Sequence, residues 1–315
     1  MNLFLTAFES IAVLIGIGVV GFWIIKRNIV SEKAIDLLSP LSLEIALPAL
    51  IFVNIISNFS PDSLSNWWQL PLWWLFFTFI AIGLSWIGSL ISKKNTRPEF
   101  RISLLYQNAI FVPLAILTGI FGSSSKVLVY LFIFALFYPA FLFSTYLFFL
   151  GEKKFVLKWD RILHPVFIVT LIAVSIKLAG VDYMIPSVVM SILNLLGGMA
   201  VPLLMLVIGA NLYLDYKGKG RFNLKEVVKF VSIKNILFPL VFLGILLIVS
   251  PGKYIALIIL IQAAAPPVTA VPVLTKKAGG DQRLVNQFFV ASILLTVITI
   301  PFFIYMLDMF FNLQI

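Results

Sequence analysis

The chain contains no cysteine, one histidine and only 13 acidic residues among 315. Without cysteine there can be no disulfide framework, thiolate metal site or cysteine nucleophile. The lone histidine, His164, stands beside Pro165 with no second histidine at metal-ligand spacing. Paired aspartates within apolar runs and a nucleophile elbow are missing as well. A membrane enzyme, the rival reading from another class, therefore has no acid–base pair to work with. Charge is scarce, at 11% of residues, and every polar connection is too short to hold a soluble domain.

What the chain has instead is apolar residues: 61% are hydrophobic and the mean hydropathy is +1.09. A soluble domain of this size could not bury that much apolar surface. The residues fall in solid blocks rather than short alternating segments, which favours helices over a barrel. We read an all-α membrane protein of ten spans, at about 3–25, 34–57, 67–92, 101–121, 127–150, 163–180, 186–214, 227–249, 255–275 and 284–310. The first run follows Glu9 and precedes Lys26-Arg27, the reverse of a signal peptide's charge order, so it is expected to be retained as span 1.

The net charge of +10 would suggest nucleic acid in a soluble protein, but here the cations mark sidedness. All but three of the 23 basic residues lie in or beside the connections after spans 1, 3, 5, 7 and 9; the exceptions are Lys126, Lys177 and Lys253. The positive-inside rule then puts those connections in the cytoplasm and both termini outside, in a cell membrane. No nucleic acid is expected as a partner; the lipid bilayer is.

Five spans plus five force the second half to enter the membrane inverted relative to the first, as in inverted-repeat transporters. The repeats would be 1–150 and 163–315 of a single transmembrane unit. A shift of 154 residues carries Ala46, Pro48 and Leu50 onto Ala200, Pro202 and Leu204. It also carries Pro113 of span 4 onto Pro267 of span 9, and Asn108 onto Gln262.

Span 9 reads QAAAPPVTAVP from Gln262 to Pro272, and Pro266-Pro267 remove two backbone donors in mid-span. Freed backbone groups at that depth are tolerated only inside protein or along a watery cavity. Span 4 reads YQNAIFVP from Tyr106 to Pro113, with amides one to two turns before the proline. Half-helix ends at such breaks can hold ions; ordinary proline kinks are the alternative. Asn108, Pro113, Gln262, Pro266, Pro267 and Thr269 are the candidate substrate-binding residues. Glu44, one turn before Pro48, is either a titrating group at depth or an interfacial residue beside Asp36. Lys234 is expected to snorkel to the cytoplasmic face, and Glu9 and Asp308 to be interfacial. GIGVVG from Gly16 to Gly21 formally matches a dinucleotide fingerprint but sits in a span, where close helix packing explains it better. Trp67-Trp68 and Trp73-Trp74 fit an interfacial belt.

At these segments the chain resembles the auxin efflux carrier family. IQAAAPPVTAVPVLTKKAG (Ile261 to Gly279) resembles that family's span 9, LPALIF (Leu47 to Phe52) its span 2, and AVPLLMLVIGANL (Ala200 to Leu212) its span 7. Lys234 with Pro239 looks like the basic residue and proline of span 8, and LTVITIP (Leu295 to Pro301) like span 10. In the family pattern an asparagine stands about seven residues before the span 4 proline. Here Tyr106 holds that spacing and Asn108 is five before Pro113, so Tyr106 joins the candidates. The long cytoplasmic loop of plant exporters is reduced to about Gly151–Ile162.

The resemblance implies a fold like that of bile-acid/sodium symporters. Spans 1, 2, 6 and 7 would form a scaffold that dimerises, and spans 3–5 with 8–10 a mobile transport domain. Spans 4 and 9 would cross at their breaks and carry a small organic anion by an elevator shift. That anion would be an auxin-like carboxylate or a dicarboxylate such as malate or malonate. No cofactor is implied, and Na+ or H+ is the candidate coupling ion. A channel, or a multi-span sensor, is the alternative to a carrier.

Overall fold

The structure, a computed structural model, describes residues 3–62, 64, 66–151, 164–217 and 222–313. The connection at Gly151–Ile162 lies outside the described residues from 152 onward, as do its cations Lys153, Lys154, Lys158 and Arg161. Among the described residues all regular structure is helical. In chain order the elements are α1 (Leu3–Lys26), α2 (Lys33–Asn58), α3 (Trp67–Ser89), α4 (Arg97–Leu105), α5 (Phe111–Phe121), α6 (Lys126–Leu150) and α7 (Pro165–Ala179). Then follow α8 (Ser187–Gly198), α9 (Ala200–Lys217), α10 (Leu224–Val249), α11 (Lys253–Ala264), α12 (Ala270–Lys277) and α13 (Gln282–Phe311). Among the described residues seven stretches are long and apolar enough to cross a membrane: α1, α2, α3, α6, the α8–α9 unit, α10 and α13. The shorter apolar helices α5, α7 and α11 belong to the segments expected as spans 4, 6 and 9. Helix is what a bilayer enforces, because each backbone group must find its partner within its own segment.

Proline sets the departures from regular helix. Pro48 and Pro239 lack the N–H that would bond Glu44 and Asn235 and would clash with those carbonyls in a normal turn. Immediately before each proline the helix widens into a π-turn, at Leu41–Ala46 in α2 and Ser232–Leu237 in α10. In α6 the chain turns at 135–137, and Pro139 enters the first turn of the second part (Tyr138–Leu150), where a missing donor costs nothing.

Packing divides the helices into two groups. In one, α1 lies along α9, and α7 and α8 lie on α2. The span 1 glycines serve that contact. A Cβ added at Gly21 would fall on the Leu206 carbonyl, and one at Gly209 on the Gly18 carbonyl. Gly197 of α8 sits so close to α2 that its Cβ would meet Leu50 Cα at 2.8 Å. In the other group α3 packs on α4, α6 and α11, α10 on α11, and α13 on α10, α11 and α12. The groups meet where α1 touches α5 and α13 and where α2 touches α6. Beyond α7, Lys177 donates to Asp182 at 2.9 Å, and this hydrogen bond holds the Asp182 carboxyl below its ordinary range.

Candidate functional site

The segment expected as span 4 is two half-helices, and so is span 9. α4 ends at Leu105 and α5 begins at Phe111, leaving Tyr106–Ile110 non-helical; α11 ends at Ala264 and α12 begins at Ala270. The two gaps pair as a short antiparallel bridge between Gln107 and Pro267. Asn108 N donates to Pro266 O at 2.7 Å and Val268 N to Tyr106 O at 2.9 Å. Residues 102–110 and 256–268 are all buried, and the first partial exposure comes at Phe111, Val112, Thr269 and Ala270, where α5 and α12 begin.

The prolines explain which side chains gather here. In an unbroken helix Ala109 O would accept from residue 113 and Ala263 O from residue 267; both are prolines without N–H, so both carbonyls are orphaned. Gln262 Nε2 donates to Ala109 O at 2.6 Å, and Lys234 Nζ donates to Ala263 O at 3.3 Å. The Tyr138 hydroxyl donates to Gln107 O. Gln262 Oε1 accepts from Gln107 Nε2 at 3.4 Å, so both polar ends of Gln262 are used within the protein.

Asn108 differs. Its Oδ1 accepts from Phe111 N at 3.0 Å and Val112 N at 3.3 Å, capping α5. Its Nδ2 is fully buried and has no hydrogen-bond partner among the described residues. Three carbonyls of the crossing, Gln107 O, Ala109 O and Ala263 O, thus accept from side chains of the protein itself, whereas the Asn108 Nδ2 donor has no such partner among the described residues. A donor left unmade in a buried site costs about 1–3 kcal/mol, so it calls for an explanation.

The other expected site residues divide between the crossing and its flanks. Pro266 and Pro267 form the crossing strand itself. Pro113 lies inside the first turn of α5, three residues past Ile110, and does not make the break. Pro272 stands likewise three residues past Thr269, the N-cap of α12. The equivalence that aligns the two breaks is therefore a shift of 159 residues, which carries Leu105 onto Ala264, Ile110 onto Thr269 and Pro113 onto Pro272. Under it Asn108 and Gln262 are not matched positions: Asn108 lies within its break and Gln262 just before the other. Tyr106 turns its hydroxyl away to Thr145 Oγ1, 2.7 Å distant, and contributes its carbonyl to the bridge. Thr269 caps α12 by position without a side-chain bond.

Glu44 lies outside the crossing. It is exposed, in a π-turn packed on α8 and α9, and His164 is within reach of its charge. Lys234 corrects the expectation of a snorkelling side chain. It is 1% exposed, and its ammonium lies 4.9 Å over the Phe238 ring beside the orphaned Ala263 carbonyl. The π-turn before Pro239 turns it inward. Sequence reading also passed over Gln107 and Tyr138. Gln107 could have been found as the neighbour of Asn108; Tyr138 carries no local signal.

A cavity of about 950 Å3 opens elsewhere, between α1, α9 and α13, with Arg283, Asn286 and Gln287 on one wall and Leu14, Phe22 and Met205 on the other. It does not include the crossing. Leu204, Met205, Ile208 and Phe289 form an apolar cluster beside it, against which Phe111 of α5 packs.

One family model, described as membrane transport protein, matches the chain twice, over residues 6–155 and 152–304. No curated protein matches it.

Proposed function

Because this chain belongs to the membrane transport protein family, that of the auxin efflux carriers, we propose that it carries a small organic anion across a cell membrane, binding it at the crossing of α4–α5 with α11–α12. The observation that carries this reading is the buried Asn108 Nδ2 donor, which has no partner among the described residues, while Gln107 O, Ala109 O and Ala263 O accept from Tyr138, Gln262 and Lys234. An acceptor ligand takes up that donor. Two half-helix N-termini, of α5 and α12, point their positive ends at the same place. The opposing C-terminal end of α11 is countered by the Lys234 ammonium on Ala263 O. No Asp or Glu occurs in 102–121 or 255–275, so nothing acidic in the crossing segments repels an anion.

The same reading takes the ten segments as two inverted five-span repeats. α1, α2 and α7–α9 are its scaffold and dimer-forming part, and α3–α6 with α10–α13 its moving part. The two packing groups agree with an elevator motion, with the α1–α9–α13 cavity as a vestibule on the basic side. Both termini face outside on the distribution of Lys and Arg. The cargo is an auxin-like carboxylate or a dicarboxylate such as malate or malonate. If a proton is coupled, Glu44 is its titrating group, since the crossing segments hold no carboxylate; Na+ is the other candidate.

A thermal-stabilisation screen of the purified protein against indole acetate, malate and malonate tests the reading. At least one acid should stabilise the wild-type chain and fail with Asn108→Asp. Equal stabilisation of both would remove the crossing as the site.

A further inference from the structure

Far from the crossing, at the basic end of α3 and α4, two arginines are arranged in a way that folding alone does not favour. Arg97 opens α4 and Arg101 follows one turn later. Cations in a first helical turn oppose the helix dipole, and like charges four apart destabilise a helix. The two guanidiniums are close enough to repel each other. Among the described residues neither makes an ion pair. The carboxylates nearby bond elsewhere. Glu99 Oε1 accepts from Asp281 N at 3.0 Å while its Oε2 is buried and has no hydrogen-bond partner among the described residues, and Glu226 accepts from Ser92 Oγ at 2.6 Å and Lys229 Nζ at 2.9 Å.

Both arginines are nevertheless held in place. Arg97 donates to Ser92 O at 3.4 Å and Leu90 O at 3.2 Å, closing the end of α3. Arg101 sits over the Trp86 indole with Cζ 3.5 Å from the ring centre, and its Nε is buried with no hydrogen-bond partner among the described residues. Trp86 and its neighbours Ile87, Leu90 and Ile91 are 43–67% exposed on the outer surface. A fixed, uncompensated pair of guanidiniums beside an apolar outer face matches one chemistry: a phosphate at the membrane interface with acyl chains below it.

We propose that Arg97, Arg101 and Trp86 form a binding site for the phosphate headgroup of an anionic phospholipid, with Ile87, Leu90 and Ile91 against its chains. Positive-inside topology alone explains cations on this side but not their stacking, pairing and lack of acidic partners. The site does not involve the crossing and is independent of the cargo.

The test uses the full chain purified in neutral detergent, titrated with phosphatidylglycerol, phosphatidylcholine or inorganic phosphate and read by thermal stability and native mass spectrometry. Phosphatidylglycerol should bind saturably and raise the melting temperature, and the other two should not. Arg101→Ala should weaken that binding by roughly tenfold or more, the size of one lost charge-assisted hydrogen bond. Arg101→Lys should weaken it too, because lysine cannot stack and fork as arginine does. Lys276→Ala, which removes one charge from the same side, should stay within about twofold of wild type. If Arg101→Ala folds poorly, Arg101→Lys and Trp86→Phe carry the test. Equal stabilisation by inorganic phosphate would make this a free-anion site, and equal binding of phosphatidylcholine would make it unselective. Unchanged binding in Arg101→Lys, or equal loss in Lys276→Ala, would leave only diffuse charge. Any of these results overturns the proposal.

Discussion

Asn108→Asp tests ligand binding at the crossing while keeping the cap of α5. The substitution is nearly isosteric, and the new carboxylate keeps both acceptor bonds that Asn108 Oδ1 makes, to Phe111 N at 3.0 Å and Val112 N at 3.3 Å. At a helix N-terminus an aspartate caps as well as an asparagine, but its second oxygen takes a buried place with no donor, so the protein should also melt lower, by about 1–3 kcal/mol. What changes is Nδ2, the buried donor without a partner, which becomes an acidic oxygen. A hydrogen bond to a charged ligand is worth roughly 1.5–3 kcal/mol, so its loss weakens binding by about tenfold to a hundredfold. Repulsion between two carboxylates adds to that. Asn108→Ala loses the donor and the cap together, so it should bind as weakly and also melt lower, by about 1 kcal/mol. Tyr106→Phe is the counter-test: it breaks the bond to Thr145 and should leave affinity unchanged. The assay is a thermal-shift titration at neutral pH with the best-stabilising acid from indole acetate, malate and malonate. Normal affinity in Asn108→Asp with a large loss in Tyr106→Phe would refute the assignment.

Lys234→Met should fold but lose binding at the crossing by roughly tenfold or more, because Ala263 O loses its donor and the α11 end its countercharge; ligand titration and native yield together check this. Gly209→Ala should destabilise the detergent-solubilised protein by about 1–3 kcal/mol, since its Cβ meets the Gly18 carbonyl. Gly16→Ala, facing open space, should be nearly neutral in the same thermal melts. Glu44→Gln should leave affinity at the crossing unchanged and flatten the pH dependence of flux; a pH profile identical to the original excludes Glu44 as the proton site.

The helical segments are readable from sequence because a bilayer makes each one satisfy its own backbone, so hydropathy and helix coincide. The break in span 9 is readable for a related reason, since Pro266-Pro267 leave no way to continue the helix. The break in span 4 is displaced from its expected place because Pro113 is harmless in a first turn. The gap at Tyr106–Ile110 holds no proline; its bonds come from across the fold, at Pro266, Val268 and Gln262. That displacement also made a shift of 154 look better than the 159 that aligns the helix ends. Lys234 was misjudged because its direction depends on a π-turn and on a carbonyl 29 residues away, neither of which a local pattern carries. The small-residue reading of span 1 agrees with the packing at Gly18 and Gly21, where the α1 and α9 backbones touch, but not at Gly16, which faces open space.

The central claim is that a carrier binds its anion at the crossing of the two broken helices. Flux of the best-stabilising acid into proteoliposomes, measured over a concentration series for wild type and Asn108→Asp, tests it most directly. The account predicts saturable wild-type flux and, in Asn108→Asp, a half-saturating concentration raised by about tenfold or more with normal reconstitution. Flux that rises without saturating, or an Asn108→Asp curve that overlays wild type, would contradict it.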